Sequence, residues 1–328
     1  MSGKLRELLR DGDYATFMRK YGIAVILIAL CTTMYFVSPA FGTTRNLVSV
    51  LLQVSINGIL ALGMTFVITA GGIDLSIGSI IALTSVVSGY YITAHDSVGL
   101  AVAMSLGVSV VVGLFNGFFV ARFNMFPFVV TLASQMIIRG CAYIVADGKS
   151  FTLSSTGFRT IGAGKFLADT PYPVPYPIII FLCMGVVSYI LLHTMKFGRY
   201  IYAVGGNMKA ANAAGVNVQW VRMMSFVIMS VFTCVAGIVL SSRVNAGQPN
   251  LGIAYETDAI AACVIGGTSL NGGIGTIPGT AIGILIIGVI NNGMNLLSIS
   301  SYYQNVVKGS IIIGAVLLDM MLTRKNSR

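Results

Sequence analysis

The sequence predicts an all-α polytopic membrane protein with about ten transmembrane helices. Hydrophobic residues make up 56% of the 328 residues and charged residues only 9%, whereas a soluble domain carries about 25% charged residues. Charge is also unevenly spread, because residues 46–121 contain only Asp74 and Asp96. A charged side chain at the bilayer centre costs about 2.5–3.5 kcal/mol. Such uncharged runs therefore predict helices that cross a membrane and exclude an ordinary soluble enzyme.

The apolar runs are much longer than the strands of a membrane barrel, so helices must satisfy the backbone hydrogen bonds. Each crossing needs about 20 residues. In chain order, the predicted spans are 21–38, 47–68, 77–93, 98–120, 126–146, 177–194, 222–241, 255–266, 279–297 and 305–322. The eighth span is too short to cross unaided, and the Gly-rich stretches 70–79 and 266–279 are predicted to be broken or re-entrant.

The predicted domain organisation is simple. Residues 1–20 form a basic segment, and because about twenty polar residues precede the first apolar run, an uncleaved first helix is favoured over a signal peptide. Residues 21–323 form one transmembrane domain, which includes a cytoplasmic segment at 197–218. Residues 324–328 form a tail, and both termini are predicted to be cytoplasmic.

The charge distribution supports this topology. When the basic N-terminus is placed inside, all but seven of the 20 Lys and Arg residues fall on the cytoplasmic side, as the positive-inside rule favours. The seven assigned to the outer side are Arg45, Arg139, Lys149, Arg159, Lys165, Arg243 and Lys308. The net charge of +10 is therefore explained without a nucleic acid partner.

An internal repeat is indicated by two Gly-rich segments. Residues 71–76 (GGIDLS) align with residues 266–271 (GGTSLN), and an apolar helix follows each segment. Helix breaks at matching positions are typical of transporters whose two halves move against each other. Chance similarity between two Gly-rich turns is the alternative.

Three carboxylates in or beside the apolar runs are candidates for chemistry. Asp74 could cap the next helix through the backbone N–H groups of residues 75–77, which we favour, or could couple transport to protons. Glu256 and Asp258 flank the start of the eighth span, where they suit the positive end of the helix dipole. A role at the outer mouth is the alternative for both.

Polar residues of the spans could line a translocation path or gate, or could form interhelical hydrogen bonds. The candidates are Asn57, Asp74, Gln135, Asn291, Asn292 and Asn295. No catalytic group, metal site or cofactor site is predicted, since the two histidines lie far apart and the cysteines lack C-x-x-C spacing. The Gly148-Lys149-Ser150 sequence lacks the earlier glycine of a phosphate loop, because position 143 is Tyr143.

The longest predicted inner loop contains a short helix between Asn207 and Gly215. Asn207 is a favourable N-cap, Gly215 a favourable C′ residue, and the alanines between them favour a helix. Such a helix could insert into a cleft on another protein. The alternative is a connector that lies on the membrane surface.

Over residues 22–322 the chain resembles the permease subunits of ribose-type ABC sugar importers. The resemblance is carried by five ordered blocks: residues 61–65 (ALGMT), 71–78 (GGIDLSIG), 198–207 (GRYIYAVGGN), 258–262 (DAIAA) leading into 266–270 (GGTSL), and 291–296 (NNGMNL). The chain departs from the family in two places. Met208 and Lys209 stand where a Glu is common, and Ile274 stands where a basic residue is common.

The resemblance implies a homodimeric permease in the bacterial inner membrane. A periplasmic sugar-binding protein would dock outside, and an ATPase subunit would dock inside and hydrolyse ATP, so the chain is not itself an enzyme. The implied coupling residues are Asn207, Lys209, Ala210, Ala211 and Gly215. The cargo is a ribose-like pentose or a hexose. The alternatives are an ion-coupled secondary sugar transporter that uses Asp74, and an intramembrane enzyme, for which no nucleophile or metal set is assembled.

Overall fold

The computed structural model describes residues 13–170 and 173–326, and most of these residues are helical. In chain order the helices are α1 (Asp13–Val37), α2 (Thr44–Thr69), α3 (Ile77–His95), α4 (Val98–Arg122), α5 (Pro127–Ala146), α6 (Thr156–Ala163), α7 (Tyr176–Tyr189, continued by a π-helical turn Ile190–Thr194), α8 (Lys196–Gly206), α9 (Met208–Ala213), α10 (Val218–Val244), α11 (Tyr255–Ile265), α12 (Ile277–Leu296) and α13 (Ser301–Asn326). Most of the predicted basic segment, residues 1–12, and residues 327–328 of the predicted tail lie outside the described residues.

Seven helices in the described part of the chain are long and apolar enough to cross a membrane. They are α2, α3, α4, α5, α7 with its π-helical turn, α10 and α12. The apolar part of α1 is shorter, at Gly22–Val37, and α11 has only 11 residues. The helical polytopic class is therefore confirmed, while the number ten stays a prediction.

Local sequence explains where several helices begin. The Thr43 side chain accepts a hydrogen bond from the Asn46 N–H, and the Ser97 and Asn217 side chains do the same for the N–H groups of Leu100 and Trp220. Each contact satisfies a backbone donor that has no partner within its helix.

Helix α10 packs in the centre of the bundle against α2, α3 and α4. Glycines permit the closest approach to α4, because a Cβ at Gly113 or Gly117 would lie 2.8 Å from the Cα atom of Val227 or Met223. Large apolar side chains such as Phe66 and Phe226 fill the rest of the interface and are fully buried. Small residues at close helix contacts are typical of membrane bundles.

The outer helices expose apolar side chains. On α5, Met136 is 74% exposed and Ile144 is 79% exposed. A water-soluble surface would carry polar groups there, so this face suits contact with lipid or with another apolar surface.

Short strands mark one end of the bundle, which we call the strand end. Here β1 (Phe151–Thr152) pairs with β4 (Ala246–Gly247), and β2 (Lys165–Phe166) pairs with β3 (Val174–Pro175), both antiparallel. The Ser242 hydroxyl accepts a 2.7 Å hydrogen bond from the Gly162 N–H, which holds α6 against α10. Helix α6, which lies between α5 and α7, is therefore packed onto the bundle.

Candidate functional site

The two Gly-rich breaks end their helices in the same way. The N–H groups of Gly71 and Gly72 donate to the carbonyls of Ile68 and Val67, and the N–H groups of Gly267 and Thr268 donate to those of Val264 and Cys263. Gly71 and Gly267 have φ angles of +82° and +85°, which favour glycine. Gly71 therefore corresponds to Gly267 in the structure. The alignment of the two sequence segments had matched Gly71 with Gly266, so the structural match is shifted by one residue.

Both breaks meet the end of α8 at a cluster of backbone atoms, which we call the glycine junction (Thr69, Gly71, Gly205, Gly272 and Gly273). The Gly273 N–H donates a 2.9 Å hydrogen bond to the Thr69 carbonyl. A methyl group at Gly205 would overlap this carbonyl and would lie 2.5 Å from the Gly273 nitrogen. A methyl group at Gly272 would lie 3.0 Å from the Gly205 oxygen and from the Gly71 Cα atom. Three chain segments are thus in direct backbone contact.

Two side chains, one in α8 and one in the turn before it, reinforce the junction. The Tyr202 hydroxyl donates a 2.6 Å hydrogen bond to the Gly275 carbonyl, which lies in the second break. Burial raises the pKa of Tyr202, so this hydroxyl stays protonated and remains a donor at neutral pH. The His193 Nε2 atom accepts a 3.3 Å hydrogen bond from the Ile277 N–H at the start of α12. These two hydrogen bonds therefore join α8 and the turn before it to the second break and the start of α12.

The short helix expected after Asn207 is present as α9. The Asn207 side chain accepts a 2.9 Å hydrogen bond from the Ala210 N–H, and Gly215 has a φ of +83°. Lys209 and Ala210 are exposed, whereas Ala211 is only 5% exposed and packs in the core. The free surface of α9 therefore includes Lys209 and Ala210 but not Ala211.

A buried guanidinium anchors α9 and α10 to the loop before α5. Arg222 is 7% exposed, and its Nη1 atom donates to the Asn124 side chain at 2.8 Å and to the Met208 sulfur at 3.9 Å. A T-shaped contact between the rings of Phe197 and Trp220, 5.4 Å apart, joins α8 to α10. The region around α9 is therefore attached to the bundle on several sides.

One of the backbone contacts expected for Asp74 is present, although the N-cap residue of α3 is Ser76. The Asp74 Oδ1 atom accepts hydrogen bonds from the backbone N–H of Ser76 at 2.8 Å and from the Ser76 hydroxyl at 2.6 Å. The Asn116 amide donates to the same hydroxyl at 2.9 Å. Asp74 is fully buried, so the carboxylate organises the start of α3 and connects it to α4.

Asp258 lies in the first turn of α11, as predicted, but within the described residues its carboxylate makes no capping hydrogen bond and instead contacts two other helices. Its carboxylate forms a salt bridge with Lys308 of α13 at 3.0 Å and accepts a 3.2 Å hydrogen bond from the Asn57 amide of α2. Lys308, which the topology assigned to the outer side, lies within α13, and its side chain is 25% exposed. The sequence did indicate that Lys308 needs a counter-charge, because it is the only charged residue between positions 302 and 318.

The other predicted path residues do not meet at one place. Asn292 exchanges two amide hydrogen bonds with Asn46, of 3.0 and 2.8 Å. Asn291 is 3% exposed, and its side-chain oxygen has no hydrogen-bond partner. Asn295 is exposed and accepts a hydrogen bond from Gln304. Gln135 contributes its backbone carbonyl, which accepts from the Ser79 hydroxyl.

One described cavity, of about 320 Å³ between α2, α7 and α12, offers little for a polar ligand. It is lined by apolar side chains that include Leu62, Phe181 and Pro278. Within the described ranges, no group of three or more His, Cys, Asp or Glu residues could hold a metal ion.

The fold defines a helical polytopic membrane protein, and helix breaks at matching positions are typical of transporters. Residues 46–316 match the family model described as branched-chain amino acid transport system / permease component, and the chain belongs to this family. The chain is 44% identical over 305 residues to the ribose import permease protein of Bacillus subtilis, covering 92% of this chain and 93% of that protein. The corresponding protein of Haemophilus influenzae is 38% identical, with 96% of each chain covered.

A second group of relatives is named for another sugar. The L-arabinose ABC transporter permease protein of Azospirillum brasilense is 37% identical over 317 residues, covering 97% of this chain and 91% of that protein. No solved structure matches the chain.

Proposed function

We propose that this chain is the membrane permease of an ATP-driven importer for a monosaccharide, with ribose or a related pentose as cargo. The relatives named for ribose and L-arabinose support this assignment. In this proposal a cytoplasmic ATPase subunit hydrolyses ATP, and a periplasmic binding protein delivers the sugar. The observation that carries the mechanism is the glycine junction, because it connects the proposed coupling helix to both breaks.

The junction suggests how movement passes through the chain. We infer that the ATPase contacts the exposed residues in and beside α9, which include Asn207, Lys209 and Ala210. Ala211 packs α9 against the bundle, and Gly215 allows the chain to turn after it. Helix α8 precedes α9 directly, and its last turn contacts Thr69 and Gly273 through backbone atoms. A rigid displacement of α8 and α9 would therefore shift the end of α2 and the second break together, as rigid-body switching requires.

The proposed path for the sugar lies between two copies of the chain. A sugar carries many hydroxyl groups, and burying them without hydrogen bonds is costly, so the apolar cavity beside Leu62 is unsuitable for it. The candidate polar residues are distributed over several helices and mostly paired within the bundle. A homodimer would supply a larger and more hydrated path at the contact between its subunits.

The proposed topology places the α8–α9 region in the cytoplasm and the strand end outside, in the bacterial inner membrane. Helix α11 begins near Asp258, whose partner Asn57 lies in the middle of α2, and ends at Ile265, before the break that contains Gly272 and Gly273. This arrangement supports a half-length α11 that, with the non-helical segment before it, makes one broken crossing. The chain would then cross the membrane ten times, with both termini inside.

The direct test is reconstituted transport. Proteoliposomes would contain this chain with the ATPase subunit and the binding protein of the B. subtilis ribose importer, and uptake of radiolabelled ribose and L-arabinose would be measured. We expect uptake that requires ATP and the binding protein. Uptake by the isolated chain, with neither partner present, would overturn the proposal.

A bulky charge on the exposed face of α9 should uncouple transport. Because Ala210 is exposed, Ala210→Arg should leave folding and membrane insertion unchanged while reducing uptake and sugar-stimulated ATP hydrolysis by about tenfold or more, the loss expected when a tightly packed contact worth about 1.4 kcal/mol is broken. Ala210→Ser is the matched small variant and should retain both activities. Full coupling in the Arg variant would contradict the docking assignment. Ala211→Arg is a poorer test, since Ala211 is buried.

An ion-coupled transporter that uses Asp74 is the second candidate, because Asp74 is fully buried and one of its oxygens lacks a hydrogen-bond partner. The capping role predicts that Asp74→Asn, which keeps an acceptor for Ser76, retains ATP-driven uptake within about threefold and leaves its pH dependence unchanged. Asp74→Ala removes the acceptor and should lower stability by about 1–2 kcal/mol. Uptake that collapses with a protonophore at constant ATP, and that Asp74→Asn makes independent of pH, would instead support proton coupling.

A further inference from the structure

A groove at the strand end combines an apolar wall with two cations. It has a volume of about 500 Å³ and lies between the first turns of α2, the β2–β3 hairpin and the start of α7. Its apolar lining includes Val48, Leu52 and Ile178, and its cationic lining consists of Arg45 and Lys165. No acidic residue lines it.

The polar and apolar linings are separated along the groove. Arg45 lies in the first turn of α2, and Val48 and Leu52 follow on the same helix face at successive turns. Lys165 pairs with Pro175 immediately before α7, and Ile178 lies in the first turn of that helix. The cations therefore lie at the mouth of the groove, and the apolar side chains lie deeper in the bundle.

The residues that line the mouth give it a positive electrostatic environment. Both α2 and α7 begin here, so the positive ends of two helix dipoles point towards it, and neither helix has an acidic residue in its first turn. The described residues provide no salt bridge to Arg45 or Lys165. Helix N-termini together with Arg and Lys are the groups that bind phosphate.

We propose that this groove binds an anionic phospholipid. The phosphate group of the lipid would contact Arg45 and Lys165, and an acyl chain would cover Val48, Leu52 and Ile178. A free phosphate would satisfy the cations but would leave the apolar wall uncovered, whereas a lipid satisfies both. The proposal does not depend on the identity of the cargo or on the ATPase.

Lipid binding to the purified full-length chain tests the proposal. Native mass spectrometry would compare phosphatidylglycerol with phosphatidylethanolamine of the same acyl chains and with inorganic phosphate. We expect phosphatidylglycerol to bind best. Each of Arg45→Gln and Lys165→Gln should weaken its binding about fivefold, and the double variant about 25-fold. Arg159→Gln removes an exposed cation that does not line the groove and should have no effect.

Three results would overturn the proposal. The double variant, or both single variants if the double variant does not fold, could bind phosphatidylglycerol as the unchanged chain does. Inorganic phosphate could bind as tightly as the lipid with the same dependence on Arg45 and Lys165, which would identify a free phosphate as the occupant. A lipid-free dimer whose cross-links map to the groove would identify a second copy as the occupant.

Discussion

Gly205→Ala should abolish most ATP-driven uptake, because the new methyl group has no space at the glycine junction. It would overlap the Thr69 carbonyl and approach the Gly273 nitrogen, and both are backbone atoms that cannot move aside as a side chain can. Overpacking of this kind costs about 1–3 kcal/mol. Thermal unfolding in detergent and sugar uptake in proteoliposomes would measure the two effects.

The neighbouring glycine provides a matched control. Gly206 is also in the last turn of α8, and a methyl group there would have no heavy atom within 4 Å. Both substitutions change helix propensity equally, so a difference between them reports the contact at Gly205. Gly206→Ala should keep uptake within about twofold of that of the unchanged chain. Equal uptake in the two variants would contradict the role of the junction. A folded Gly205→Ala chain that binds the ATPase without sugar-stimulated hydrolysis would show that the defect lies in coupling.

Lys308→Met should cause the largest loss of stability outside the junction. Removing one member of a buried ion pair leaves the other charge without compensation, which costs about 3–5 kcal/mol for a fully buried pair. Because the Lys308 side chain is 25% exposed and that of Asp258 is 11% exposed, we expect a value near the lower end, about 3 kcal/mol. Denaturant titration of the purified chain would measure it.

The double variant Lys308→Met/Asp258→Asn should recover part of this loss, since no unpaired charge remains. The control is Lys149→Met, which breaks a salt bridge to Asp147 whose side chains are 80% and 85% exposed. Exposed pairs contribute little, so this variant should change stability by less than about 0.5 kcal/mol. If Lys308→Met were no more destabilising than Lys149→Met, the ion pair would not hold α13 to the bundle.

The sequence predicted features whose causes are local. The class of the fold follows from composition, and the α9 helix follows from a capping Asn207 and a Gly215 that tolerates a positive φ. The contact of Asp74 with Ser76 also spans only two residues. In each case the interacting groups are neighbours along the chain, so their chemistry is visible in the sequence.

The features that the sequence did not predict join distant parts of the chain. Asp258 and Lys308 are 50 residues apart, and Asn46 and Asn292 are 246 residues apart. Their pairing depends on how the helices are arranged, which composition and periodicity do not specify. A lone Lys308 in an apolar helix indicates that a counter-charge is needed, but two carboxylates, Glu256 and Asp258, could each have supplied it.

Backbone atoms, not side chains, form the centre of the contact between α8 and the two breaks. A push applied to ordinary packed side chains is partly absorbed, because χ angles can change, whereas peptide planes held by an N–H to carbonyl bond between Gly273 and Thr69 have little slack. A displacement of one segment can therefore pass to the others without being absorbed by side-chain rotation. In the proposed mechanism, the size of the movement at the two breaks would therefore be set by how far the ATPase displaces α8 and α9.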